Sequence, residues 1–129
     1  MTKENSTAYT PGVCNINSAE VAYRKKAGYI GAAVFVILLI LLLLLDINRW
    51  SRLVLFAPAF VAVIGFLQAK NKFCVAYGSS GKQNAAEESS ESKSIKDAGA
   101  IIKDKIKAKS MNLQAAIIAL AATLMVCLI

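Results

Sequence analysis

The chain has 129 residues and a net charge of +7, yet 57% of those residues are hydrophobic. An ordinary soluble domain of this size does not combine the two so unevenly. With no histidine and no clustered carboxylates in or beside its apolar blocks, the chain carries no recognisable catalytic constellation and is expected to be non-enzymatic.

The first seventeen residues form a polar tail. Asn5-Ser6-Thr7 matches a glycosylation acceptor, but the orientation derived below keeps it away from that machinery. Pro11 and Gly12 permit a turn. Asn17 and Glu20 form an Asn-x-x-Glu capping box with Ile16 and Val21 as a hydrophobic staple, which predicts a helix from Ser18 that continues to residue 45.

Gly28 to Leu45 carries no charged side chain and would span about 27 Å as a helix, close to a hydrocarbon core of roughly 30 Å. Its centre, VFVILLILLLLL, is apolar on every face, and so short a chain has little other structure to bury it. The run is too long for a cleaved signal peptide, and no small-x-small site precedes DINRWSR. Residues 46–52 make a short turn in which Trp50 suits the headgroup layer.

Leu53 to Ala69 gives a second span of about 26 Å, and its Pro58 and Gly65 are tolerated in membrane helices. Residues 70–93 form a polar segment. SSGKQNAAEESSESKS within it is serine-rich and aperiodic, the composition of a flexible linker. Gly81-Lys82 does not make a phosphate-binding loop, because Ala76 and Gln83 stand where a glycine and a hydroxyl residue are required.

In residues 94–109, Ile95, Ala98, Gly99, Ile102 and Ile106 fall on one helical face, with Asp97 and Asp104 directed away from it. Lys96, Lys103 and Lys107 line a flank, the pattern of an amphipathic helix lying in the interface with its lysines on anionic lipid headgroups. Residues 111–129 then form a third span. Its clean apolar part, Leu113 to Ile129, is about the minimum length for crossing. Cys127 lies third from the end, where a prenylation box needs the fourth position.

The expected fold class is therefore an all-α integral membrane protein: a hairpin of two spans, an interfacial amphipathic helix and a C-terminal span. Four basic residues precede the first span, nine lie between the second and third, and only Arg49 and Arg52 occupy the first turn. This bias places the tail and the long connection in the cytoplasm and the C-terminus outside.

The hairpin brings Cys14 and Cys74 out on the same side of the membrane. A reducing compartment disfavours a standing disulfide, and two cysteines without histidine cannot fill a tetrahedral zinc site alone. On a straight helix Cys14 would stand about 20 Å above Gly28, and Cys74 only about 8 Å above Ala69. Contact requires the tail to fold back through Pro11 and Gly12. The pair reads either as packing residues, as a redox or metal-linked thiol pair, or as a site of acylation. Lys70 and Lys72 beside Cys74 favour a reactive thiol and equally suit the anchoring of a span.

CNINSAEVAYRKKAGYIG and FLQAKNKFCVAYGSSG resemble the two sequence blocks of an uncharacterised family of small bacterial membrane proteins. That family has a Cys-Asn-Ile start before the first span and a Phe-Cys-Val followed by glycine after the second. The resemblance covers about residues 14–81 and implies a multi-span fold in a bacterial inner membrane, with no activity to carry over.

Small residues recur at helical spacing on the second span (Ala59, Ala62, Gly65, Ala69) and the third (Ala115, Ala119, Ala122). These stripes are expected to meet each other or a partner helix. None of the spans holds an ionisable residue, which argues against proton or ion coupling. The expected function is that of an accessory, assembly or scaffold subunit, with the bilayer, anionic lipids and other membrane subunits or further copies as partners. Thiol chemistry at Cys14 and Cys74 is the alternative, and an oligomeric pore is held in reserve. No cofactor is implied. A nucleic-acid partner is not expected either, since the lysines hug the span boundaries without interleaved aromatics.

Overall fold

The computed structural model describes residues 9–85 and 92–128. Asn5, with its glycosylation motif, and the middle of the serine-rich stretch lie outside the described residues. Three helical stretches, Ser18–Leu44, Arg49–Asn71 and Ala98–Leu128, are long and apolar enough to cross a membrane.

Helix α1 (Ser18–Leu44) begins where the capping pattern places it, with the Asn17 side-chain oxygen accepting from the Glu20 N–H at 3.0 Å. That bond satisfies one of the first-turn amides that have no intrahelical partner. The chain turns at Asp46, which takes a left-handed conformation. A 3-10 helix (Arg49–Leu55), capped by the Asn48 side chain, then leads directly into α2 (Phe56–Asn71). Lys72 ends α2 in the left-handed region.

Helices α1 and α2 pack backbone to backbone. A methyl group on Gly31 would lie 2.7 Å from the Ala62 nitrogen, and one on Gly65 would lie 2.7 Å from the Gly28 nitrogen. Only small residues allow this approach. The small-residue stripe of the second span thus serves α1 through Ala62 and Gly65. Glycines of α1 near its polar end make the complementary surface.

Residues expected to form a loose linker are partly ordered. Helix α3 (Val75–Ser80) follows α2 at once, and strand β1 (Lys82–Gln83) pairs antiparallel with β2 (Lys93–Ser94) in the register Lys82–Ser94 and Gln83–Lys93. Gly78 packs so closely on the Phe73 ring that an added methyl would lie 2.7 Å from it. Phe73 itself is fully buried with Ala108 and Met111, against Ile64, Leu67 and Val75. Burial of this small core, which sequence composition did not reveal, is what holds α3 in place.

The largest departure concerns the last third of the chain. A separate interfacial helix over 94–109 is absent: Ala98–Leu128 forms one helix, α4, about 46 Å long at 1.5 Å per residue. Its inner face runs through Ala100, Asp104, Ala108, Met111, Ala115, Ala119, Thr123 and Cys127, a stripe at steps of three and four that crosses Ser110 without a break. Since its first half is collinear with the third span, that half cannot also lie flat along a membrane surface. Ile102 and Ile106 are exposed, and Asp104, on the opposite face, is entirely buried.

At the tryptophan end, Arg52 donates from Nη1 to the carbonyl of Val126 at 3.0 Å. A cation there meets the negative end of the α4 dipole and satisfies a carbonyl with no intrahelical donor.

Candidate functional site

The polar interior lies at the lysine-rich end, where residues 9–17 double back across the helix ends as a strap. Gly12, with φ of 71°, makes the turn possible, and the Thr10 and Cys14 backbones bond to each other around it. Asp104 of α4 anchors the start of the strap. Its carboxylate accepts from the Tyr9 hydroxyl at 2.6 Å and the Gly12 N–H at 2.7 Å. A fully buried carboxylate requires such donors.

Asn15 anchors the middle. Its N–H donates to the Lys72 carbonyl, and its own carbonyl accepts from the Asn84 N–H. Its side-chain amide closes a ring with the Cys74 backbone: Nδ2 donates to the Cys74 carbonyl at 3.2 Å, and Oδ1 accepts from the Cys74 N–H at 2.6 Å. The strap is thereby tied to α4, to the end of α2 and to the segment leading into β1.

Beside this ring sits an ionic cluster. Glu20 forms an ion pair with Arg24 one turn along α1 and also accepts from the Tyr77 hydroxyl at 3.0 Å and the Asn84 side chain at 2.8 Å. Both charged residues precede the apolar run that begins at Gly28. Burial pushes the Glu20 carboxyl upward, but the hydrogen bonds from Asn84 and Tyr77 and the Arg24 charge outweigh it, leaving its pKa below the ordinary value. Burial works against the Arg24 cation, and the Cys74 sulfur and Glu20 more than offset this, so its pKa is raised. Burial and Glu20 raise the Tyr77 phenol. Burial and Asp104 raise that of Tyr9 further.

Arg24 also donates to the Cys74 sulfur at 3.0 Å. The strap does fold back as the turn at Pro11 and Gly12 required, and it places Cys14 one residue from the Asn15–Cys74 ring. Each thiol has its own partner: Cys14 donates to the Ile16 carbonyl at 3.5 Å, and Cys74 accepts from Arg24. Both are free and buried, Cys74 to 2% exposure.

The remaining residues singled out from sequence are scattered. Ala59 and Gly65 are buried in α2, Ala62 packs on Gly31, and Ala69 is half-buried near the lysine-rich end. Ala115 and Ala119 are fully buried on the inner face of α4, while Ala122 is half-buried beside it. Lys96 and Lys103 are exposed. Lys107 donates to the Asn71 side chain at 3.2 Å, so it helps fix α4 to α2.

Spacing along the chain assigns no role to Tyr9, Asn15, Tyr77 or Asn84, although Asn15 and Tyr77 lie within the two blocks of the resemblance, and their contacts arise only through the fold. Asp104 did leave a trace, because it continues the small-residue stripe of the third span back through Ala108. Comparison of the chain with protein-family models, curated proteins and solved structures finds no match.

Proposed function

We propose that the chain is a non-catalytic integral membrane protein that serves as an accessory, assembly or scaffold subunit of a membrane complex. The observation that carries this reading is the direction in which its polar chemistry points. Glu20, Arg24, Asp104 and the Asn15 amide are turned inward and committed to one another, to neighbouring side chains or to backbone groups. What faces outward is an apolar belt, with Ile30, Ile37, Leu44, Ile117 and Met125 exposed, and a lysine-rich end. Such a molecule is built to hold a shape and be bound.

On this reading the strap and lysine-rich end face the cytoplasm of a bacterial cell, Trp50 lies in the outer headgroup layer, and the C-terminus is outside. The resemblance to small bacterial membrane proteins agrees with that placement. Copurification from mild detergent tests the role. Stoichiometric recovery of other membrane subunits, or of a defined homo-oligomer, is expected; recovery of nothing but a monomer at native expression levels would contradict it.

A second reading, redox or metal-linked thiol chemistry, has one observation in its favour, the Arg24 guanidinium against the Cys74 sulfur. A neighbouring cation is a setting in which thiols become nucleophilic. Burial of Cys74 beneath the strap opposes it. Replacing Cys14 and Cys74 together with serine separates the two readings, since only thiol chemistry requires the sulfurs.

A further inference from the structure

Helices α1 and α2 touch most closely where Gly28 and Gly31 meet Gly65 and Ala62. Towards the lysine-rich end the facing side chains become larger, and a groove of about 360 Å³ opens between Val21 and Lys25 of α1 and Phe66, Ala69 and Lys70 of α2. Its floor is apolar. Both lysines at its edge are exposed, and neither forms an ion pair among the described residues.

The described carboxylates cannot supply the missing counter-charge. Glu20 is committed to Arg24, Tyr77 and Asn84, and Asp104 to Tyr9 and Gly12. Asp97 accepts from the Gly99 N–H at the start of α4, and Asp46 lies beyond the opposite end of α1. A soluble anion would satisfy the lysines and leave the floor uncovered. A zwitterionic lipid would cover the floor, but its own headgroup cation would offset the phosphate charge that the two ammonium groups attract.

We propose that this groove is a binding site for one anionic phospholipid, with an acyl chain along Val21, Phe66 and Ala69 and the phosphate between Lys25 and Lys70. The proposal rests on the chain residing in a bilayer, but not on its role as a subunit. A tethered anion near a membrane lysine gains about fivefold in affinity per lysine.

The test is native mass spectrometry of the full chain in mild detergent, titrated with phosphatidylglycerol or phosphatidylcholine. The wild type should retain one phosphatidylglycerol in preference to phosphatidylcholine. The variant Lys25→Gln/Lys70→Gln should bind it about 25-fold more weakly, while Lys96→Gln/Lys103→Gln, with the same loss of charge, should bind as the wild type does. Filling the floor by Val21→Phe should also weaken binding with both lysines intact. Equal losses in the two lysine pairs, equal retention of phosphatidylcholine, or displacement by millimolar inorganic phosphate would each overturn the proposal. Retention of the chain in carbonate-washed membranes is scored separately: release would sink the membrane reading itself, whereas retention without lipid selectivity sinks only the site.

Discussion

Asn15 and Cys74 are 59 residues apart and are joined by two hydrogen bonds, the side-chain amide of Asn15 pairing with both backbone groups of Cys74. The asparagine acts as a surrogate strand partner at a place where the chain has just left α2 and is entering α3. Because Asn15 and Cys74 are both buried, water cannot replace those bonds when the amide is removed.

Asn15→Ala should therefore destabilise the strap by about 2–4 kcal/mol, the cost of leaving a buried donor and acceptor unpaired. Thermal unfolding in detergent reads the loss. Maleimide labelling supplies the local readout: Cys14 and Cys74 should become reactive in the variant before the spanning helices melt. Unchanged labelling would mean that the strap is held by something else.

Asp104 fixes the other end. Asp104→Leu deletes the acceptors for Tyr9 and Gly12 and should release the first part of the strap, visible as new protease cleavage near Pro11. Asp104→Asn should be much milder, since its oxygen can still accept from Gly12 while its amide donates to the Tyr9 oxygen. Equal effects of the two substitutions would show that the carboxylate is not what holds the turn.

The helix contact makes a sharper steric prediction. Gly65→Ala should cost about 1–3 kcal/mol, because the new methyl meets rigid backbone of α1 and the helices must move apart. Gly99→Ala is the control. Its nearest neighbour would be Asp97 Oδ1 at 3.5 Å, so it should be neutral or stabilise by up to about 1 kcal/mol through helix propensity. Thermal unfolding should show a lowered midpoint for Gly65→Ala and an unchanged or raised one for Gly99→Ala.

Acid and alkali should loosen the same cluster for opposite reasons. Glu20 has a folded pKa below its ordinary 4.5, so its contribution is complete above about pH 4.5 and is lost as pH falls through the lower folded value. Tyr9 and Tyr77 have folded pKa values above the ordinary 10.0. Their contribution is complete below about pH 10 and is lost as pH rises through the folded values. A pH series of unfolding temperatures should show a plateau between these limits. In Asp104→Asn the part of the alkaline edge due to Tyr9 should move down, because burial still raises its phenol but the Asp104 charge no longer does, while the part due to Tyr77 stays in place.

Much of the helical organisation is legible in local pattern. The cap at Asn17, the start at Ser18, the turn at Gly12 and three apolar stretches of spanning length all follow from neighbouring residues. The continuity of α4 is harder to read, because Ser110 sits where charge gives way to apolar residues, and composition there changes without any helix breaker. Periodicity carries the better information: Ala100, Asp104 and Ala108 extend the inner stripe of Ala115 and Ala119. Glu20 and Arg24 are a local pair one turn apart, but their links to Cys74, Tyr77 and Asn84 and the Asn15 ring join residues 50 to 64 positions apart, and no local spacing encodes those.

The central proposal is that the strap and the lysine-rich end share the cytoplasmic face of a membrane hairpin, with Trp50 on the other side. Its most direct test is labelling with a membrane-impermeant maleimide in sealed, right-side-out vesicles, using one added cysteine at an exposed site at each end, Arg49→Cys or Ser79→Cys, over the low background of the buried native thiols. The account predicts rapid labelling of Arg49→Cys and labelling of Ser79→Cys only after the vesicles are opened. Protection of Arg49→Cys with free access to Ser79→Cys would contradict it.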